Sequence, residues 1–200
     1  MFYVLNGKKI IKIFKILICF IILILLGRIF INYIFPIKYE DIIEKYAKKY
    51  DIEKELVFAV INAESRFNKD ALSNKGAIGL MQIMPETGEW LSQKIKMENF
   101  SKEMLYEPEV NINLGCYYLS YLIKKFQNET LALCAYNAGS TNVYRWLSND
   151  NYSLNGNIHT IPFKETDKYV KKIKIFKKGY SILIKIFSKD KIFWRKYENI

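Results

Sequence analysis

Glycine and proline are scarce, nine and four in 200 residues, which excludes a collagenous, low-complexity or linker-dominated chain. One histidine, His159, and three cysteines without a CxxC pair cannot build a zinc site of the usual three or four protein ligands, so the sequence predicts neither metal nor cofactor. Sustained alternation of apolar and polar residues is missing, so no strand-built core is expected. Acidic residues are absent from residues 1–39, and no Ala occurs before Ala47. What remains is half apolar and 16% aromatic, enough for one packed domain.

The net charge of +11 invites a nucleic-acid reading until it is divided along the chain. Residues 1–39 carry +6. Residues 40–170 hold fifteen basic and eighteen acidic side chains, and residues 171–200 ten basic and two acidic. The centre is therefore mildly acidic and the ends are basic, which argues against a nucleic-acid partner.

Ile16 to Gly27 form an uncharged apolar run, followed by Arg28 and a second uncharged stretch to Ile37. Together they are long enough for a bilayer core, with Arg28 snorkelling toward a headgroup layer. Residues 16–35 are the predicted membrane segment. Lys8, Lys9, Lys12 and Lys15 precede it, so the positive-inside rule predicts a single-pass protein of the cell membrane, its N-terminus cytoplasmic and the rest outside. A cleaved signal peptide should end in small residues, and lipoprotein processing needs a small residue just before Cys19; neither pattern is present. The reading is an uncleaved anchor. Cys116 and Cys134 both sit in apolar helical patterns, which favours buried free thiols over a disulfide.

Helical periodicity dominates after residue 38. Tyr39 to Phe67 reads as two helices, the second capped by Asp51 and apolar almost all round from Leu56 to Ile61. Further helices are expected over Met81–Leu91, Asn111–Phe126, Thr130–Ala138, and from near Glu165 onward. A short hairpin within 70–80 or 150–162 is allowed but not demanded. The predicted fold class is all-α, in three parts: a basic flank and anchor over 1–37, a domain over 38–176, and a basic tail over 177–200.

Glu64 is the most anomalous charge, because it directly follows the apolar run LVFAVINA. A partly desolvated carboxyl has a raised pKa and suits general acid work. An acid at a helix C-terminus also meets the negative end of the dipole. From pattern alone, a Glu that turns outward to solvent is an equal alternative.

The neighbouring text adds to this. AESRF (63–67), Ser73, GAIGLMQIMP (76–85), NINLGCYYL (111–119), AYNAG (135–139) and IPFKETDKYVKKI (161–173) occur in that order. This series closely resembles the catalytic domain of soluble-type lytic murein transglycosylases, relatives of goose-type lysozyme, over about residues 42–176. The resemblance implies a mainly helical lysozyme-like domain acting on peptidoglycan glycan strands, at the bond between N-acetylmuramic acid and N-acetylglucosamine. It implies Glu64 as the sole catalytic acid and base. It places Ser73 near the sugar being cleaved and Gln82, Met84, Tyr136 and Asn137 along the groove, with Glu165 and Tyr169 reaching back toward the active site. The loop between Leu91 and Tyr106 carries no family signature.

Ordinary glycosidases need two carboxylates. One suffices if the substrate supplies its own nucleophile, the C6 hydroxyl, and the product is then a 1,6-anhydro sugar. Glu165 keeps a hydrolytic muramidase open as an alternative, and a wall-binding or assembly protein without turnover is a third. The tail interleaves Lys with Ile and Phe, with Phe193 and Trp194 near its end. It suits anionic lipid, an anionic wall polymer, or a last helix packed on the domain.

Overall fold

In the computed structural model, backbone is described for residues 7–195 and side chains for residues 11–186. The chain forms two compact units, one ending at Pro36 and the other beginning at Ile37. The first is helix α1 (Gly7–Ile34). Its Ile11–Ile34 stretch has a mean hydropathy of 2.7 and no buried residues, and at about 1.5 Å per residue it is long enough to cross a bilayer core.

The second unit is helical: α2 (Glu40–Tyr50), α3 (Lys54–Glu64), α4 (Pro85–Lys94), a 3₁₀ turn (Lys102–Tyr106), α5 (Pro108–Phe126), α6 (Glu129–Ala138), α7 (Ser140–Leu147) and α8 (Lys164–Arg195). A two-stranded hairpin, β1 (Ser153–Leu154) and β2 (Asn157–Ile158), turns through Asn155 and Gly156, both at positive φ. It falls in one of the two places where the sequence allowed one. In the other, single bridges join Leu72 to Ile78 and Ile78 to Ile83.

Helix α3 is central because it is apolar all round. Leu56 to Ile61 are each 1% exposed or less, and the helix lies against α2 on one side and α8 on the other. Fully burying side chains of this size is worth roughly 1.5–3 kcal/mol each, so α3 is the main anchor of the domain. Phe58 stacks on Tyr180 of α8 at 5.2 Å between ring centroids. Tyr180 is fully buried, so α8 runs unbroken past residue 176 and packs on the domain beyond it. Phe193 and Trp194 lie outside the described side chains.

Three local expectations need correction. Asp51 does not cap α3; it closes α2 in the left-handed region (φ 55°), its N–H turned to the carbonyls of Ala47 and Lys48, and α3 starts at Lys54. Helix α4 begins at Pro85, where a proline's missing N–H costs nothing, so Met81 to Met84 belong to the preceding turns. Helix α7 was not anticipated: Gly139 (φ 84°) ends α6 and starts α7 at one corner, where the sequence suggested only a stop. Cys116 and Cys134 are buried free thiols, with burial pushing both up, as expected from their apolar surroundings.

Candidate active site

Glu64 is the last residue of α3, with Ser65 as the cap. It is part-buried, and desolvation pushes its carboxyl up to about 7. Three groups on α8 modulate that. The Tyr169 hydroxyl donates to Oε1 at 2.6 Å and the Lys172 ammonium lies close by, both favouring the carboxylate, whereas the Glu165 charge opposes it. Lys172 also donates to the Ala63 carbonyl at 3.0 Å, which satisfies a free helix-end acceptor. Tyr169 and Lys172 are three residues apart, so one face of α8 grips the last turn of α3.

Tyr136 arrives from α6. Its hydroxyl donates to the Met81 carbonyl at 2.8 Å, and burial together with the nearby Glu64 charge holds the phenol well above its usual range. Tyr169 is held up for the same reasons. Both phenols are therefore fixed donors. Asn137 accepts from the Thr166 hydroxyl at 2.7 Å, which ties α6 to the first turn of α8.

The loop from Ser65 to Met84 is shaped by backbone acceptors and donors. Ser65 donates to the Leu80 carbonyl at 2.8 Å, and Gln82 donates to the carbonyls of Gly79 and Ala71. Ser73 Oγ accepts the Ala77 N–H at 2.9 Å. Asn111 on α5, 1% exposed, holds the loop from below: it accepts from the Met81 N–H and donates to the carbonyls of Ile78 and Leu105. At Gly79 (φ 78°) a Cβ would run into that Asn111 side chain and into the Leu105 carbonyl, so the close approach requires glycine.

Of the eight residues singled out from the sequence, Glu64, Tyr136 and Tyr169 are therefore brought together. Asn137 is tied to α8 beside them. Ser73 and Gln82 belong to the loop, and their hydrogen bonds run to backbone atoms, not to Glu64. Met84 is the part-buried residue preceding α4. Glu165 is exposed and acts on Glu64 through its charge. Ser65, Asn111, Thr166 and Lys172 were not singled out, although an Asn inside the apolar pattern of α5 was a readable signal.

The family model for the transglycosylase SLT domain matches residues 41–158. The chain belongs to this family. Among curated relatives, this SLT chain is 36% identical over 150 residues to the soluble lytic murein transglycosylase of Salmonella typhimurium, covering 73% of this chain and 23% of that protein. It is 30% identical over 166 residues to membrane-bound lytic murein transglycosylase C of Pectobacterium atrosepticum, covering 72% of this chain and 46% of that one. Among solved structures, an inactive Glu-to-Gln mutant of the lytic transglycosylase Slt from Pseudomonas aeruginosa superposes with a TM-score of 0.69 at 36% identity, over 76% of this chain and 25% of that one. The 70 kDa soluble lytic transglycosylase of Escherichia coli gives 0.71 at 33% identity, over 77% and 26%. The SLT chain thus spans about a quarter of the length of its soluble relatives. Tyr169 and Lys172 lie beyond the segment matched by the family model.

The grip of α8 on Glu64 makes a pH prediction. Lys172→Met removes a positive neighbour that favours the carboxylate, so Glu64 should keep its proton to higher pH. Lys172→Arg should leave its titration in place. An infrared or NMR pH titration of the Glu64 carboxyl checks both.

Proposed function

We propose that this SLT domain is a peptidoglycan lytic transglycosylase that cleaves the bond between N-acetylmuramic acid and N-acetylglucosamine, with Glu64 as the only catalytic carboxylate. The observation that carries this reading is a part-buried Glu64 poised near pH 7 and hydrogen-bonded by Tyr169, while Glu165 is exposed and holds no hydrogen bond to it. An acid near neutrality is protonated often enough to give its proton to the glycosidic oxygen and basic enough to take one back. In the first step Glu64 protonates that oxygen as the bond to C1 breaks. In the second, the Glu64 carboxylate removes the proton of the sugar's own C6 hydroxyl as the oxygen attacks C1. The 1,6-anhydro ring closes, no water is consumed, and Glu64 regains its proton.

Tyr169 holds the carboxyl in position, and Tyr136 and Asn137 present the α6 side of the groove. Ser73, Gln82 and Met84 form the loop side, with Ser73 near the sugar being cleaved. Support comes from relatives named lytic murein transglycosylases and from the similar structure of a lytic transglycosylase that is inactive as a Glu-to-Gln mutant. Helix α1 anchors the protein in the cell membrane in a single pass, with the lysine-rich N-terminus cytoplasmic and the SLT domain facing the wall.

Product mass decides the reaction. Digestion of purified peptidoglycan should release fragments with 1,6-anhydro ends, lighter by one water than hydrolytic products. Reducing ends in their place would make the protein a muramidase and overturn the one-carboxylate reading.

A further inference from the structure

Helix α8 has two faces. Val170, Ile173 and Tyr180 are buried on the inner one. On the outer one, Ile175, Ile182 and Ile186 are 66%, 53% and 51% exposed. Steps of seven and four residues put these isoleucines on one line along the helix. Lys171, Lys178 and Lys185, all exposed, repeat every seven residues and form a parallel line beside it. Lys174 adds to the same flank, and Lys171 is partly offset by its ion pair with Asp167 at 2.7 Å. A solvated helix face has no use for three large exposed isoleucines in a row, and an apolar protein partner would leave Lys174 and Lys178 on that flank without counter-charge. An anionic lipid surface satisfies both lines at once: the isoleucines enter the acyl boundary and the ammonium groups meet phosphates.

We propose that the outer face of α8 is a docking surface for anionic phospholipid, a second membrane contact besides helix α1. By helical periodicity the groups that grip Glu64, namely Tyr169, Lys172 and Glu165, sit about a quarter turn round α8 from the isoleucine line. Docking therefore does not bury the Glu64 side of α8 in lipid. Only five residues separate α1 from α2, so if α1 crosses a bilayer the domain is tethered at that bilayer's surface and weak docking suffices. That tether argument rests on the proposed anchor; the two lines on α8 do not.

The test uses the full chain with Cys19→Ser, Cys116 and Cys134 being buried, and a fluorophore on Ile182→Cys or, as a control on the hairpin, on Leu154→Cys. The protein is reconstituted into mixed phosphatidylglycerol–phosphatidylcholine vesicles carrying a lipid-borne nitroxide quencher. The label at 182 should be quenched and the label at 154 spared, with quenching lost in pure phosphatidylcholine or at high salt. Lys178→Gln should lower the ratio of docked to undocked domain about fivefold. Equal quenching at both positions, or quenching indifferent to lipid charge and salt, overturns the proposal. So does energy transfer between labels that grows with protein density in place of lipid quenching, which would assign the face to a second copy. Release of the chain by alkaline carbonate from a separate aliquot would remove the anchor reading alone, because quenching at 182 is read on untreated vesicles at neutral pH.

Discussion

Glu64→Gln is expected to abolish turnover and, above about pH 7, to give a more stable protein than the wild type. The loss of activity follows from one residue serving both proton transfers. General acid–base catalysis contributes about 10²–10⁴-fold for a single transfer, so removing both should cost about 10³-fold or more. The gain in stability follows from linkage. The folded-state pKa of Glu64 is raised, to about 7, above the 4.5 of an ordinary Glu. Below pH 4.5 the carboxyl is neutral in folded and unfolded chains alike and costs nothing. As the pH rises toward 7 the unfolded chain ionises first, the folded one is penalised, and the wild type loses up to about 3 kcal/mol. Gln cannot ionise and keeps the Tyr169 hydroxyl supplied with an acceptor. Unfolding midpoints of the two proteins across this range, beside turnover on peptidoglycan, check both halves. Midpoints that stay parallel at all pH would mean that the Glu64 carboxyl is solvated in the folded protein.

The second large effect is expected at Asn111, away from any reacting atom. Asn111→Leu fits the buried space but leaves the Met81 N–H and the Leu105 carbonyl without their partner, while the Ile78 carbonyl keeps the Ile83 N–H. An orphaned buried polar group costs about 1–3 kcal/mol, so the variant should lose on the order of 4 kcal/mol. It should also loosen the loop that carries Gln82 and receives Ser65. Asn113→Ala is the control: Asn113 accepts from the Tyr50 hydroxyl, and its loss should cost about 1 kcal/mol. Denaturant midpoints of the two variants separate a lattice of three bonds from a single one.

The parts of this molecule that were legible in the sequence are those fixed by one local cause. The apolar run before Glu64 announced a buried helix with an acid at its end, and the structure has that helix and that acid. The anchor-like stretch and the long amphipathic α5 were legible for the same reason. Asp51 was misread because Asp suits two opposite roles, helix N-cap and left-handed closure, and only the tight link between α2 and α3 selects the second. Helix α7 was missed because Gly139 looked like a terminator, whereas Val143 and Trp146, three apart and buried, continue the chain into another turn of core. Thr166 and Lys172 were invisible for a different reason: each matters through a partner far away in sequence, Asn137 and Ala63, and no local pattern carries that.

The bond from Tyr169 to Glu64 spans 105 residues. A chain that emerges N-terminus first has made its acid, its loop and its α5 long before the residue that orients the acid exists. The orientation of Glu64 therefore waits on the docking of α8, which is also what buries Tyr180 against Phe58. The order of synthesis becomes a timer: the acid of this domain is oriented only by completion of its own fold, after most of the domain has been made.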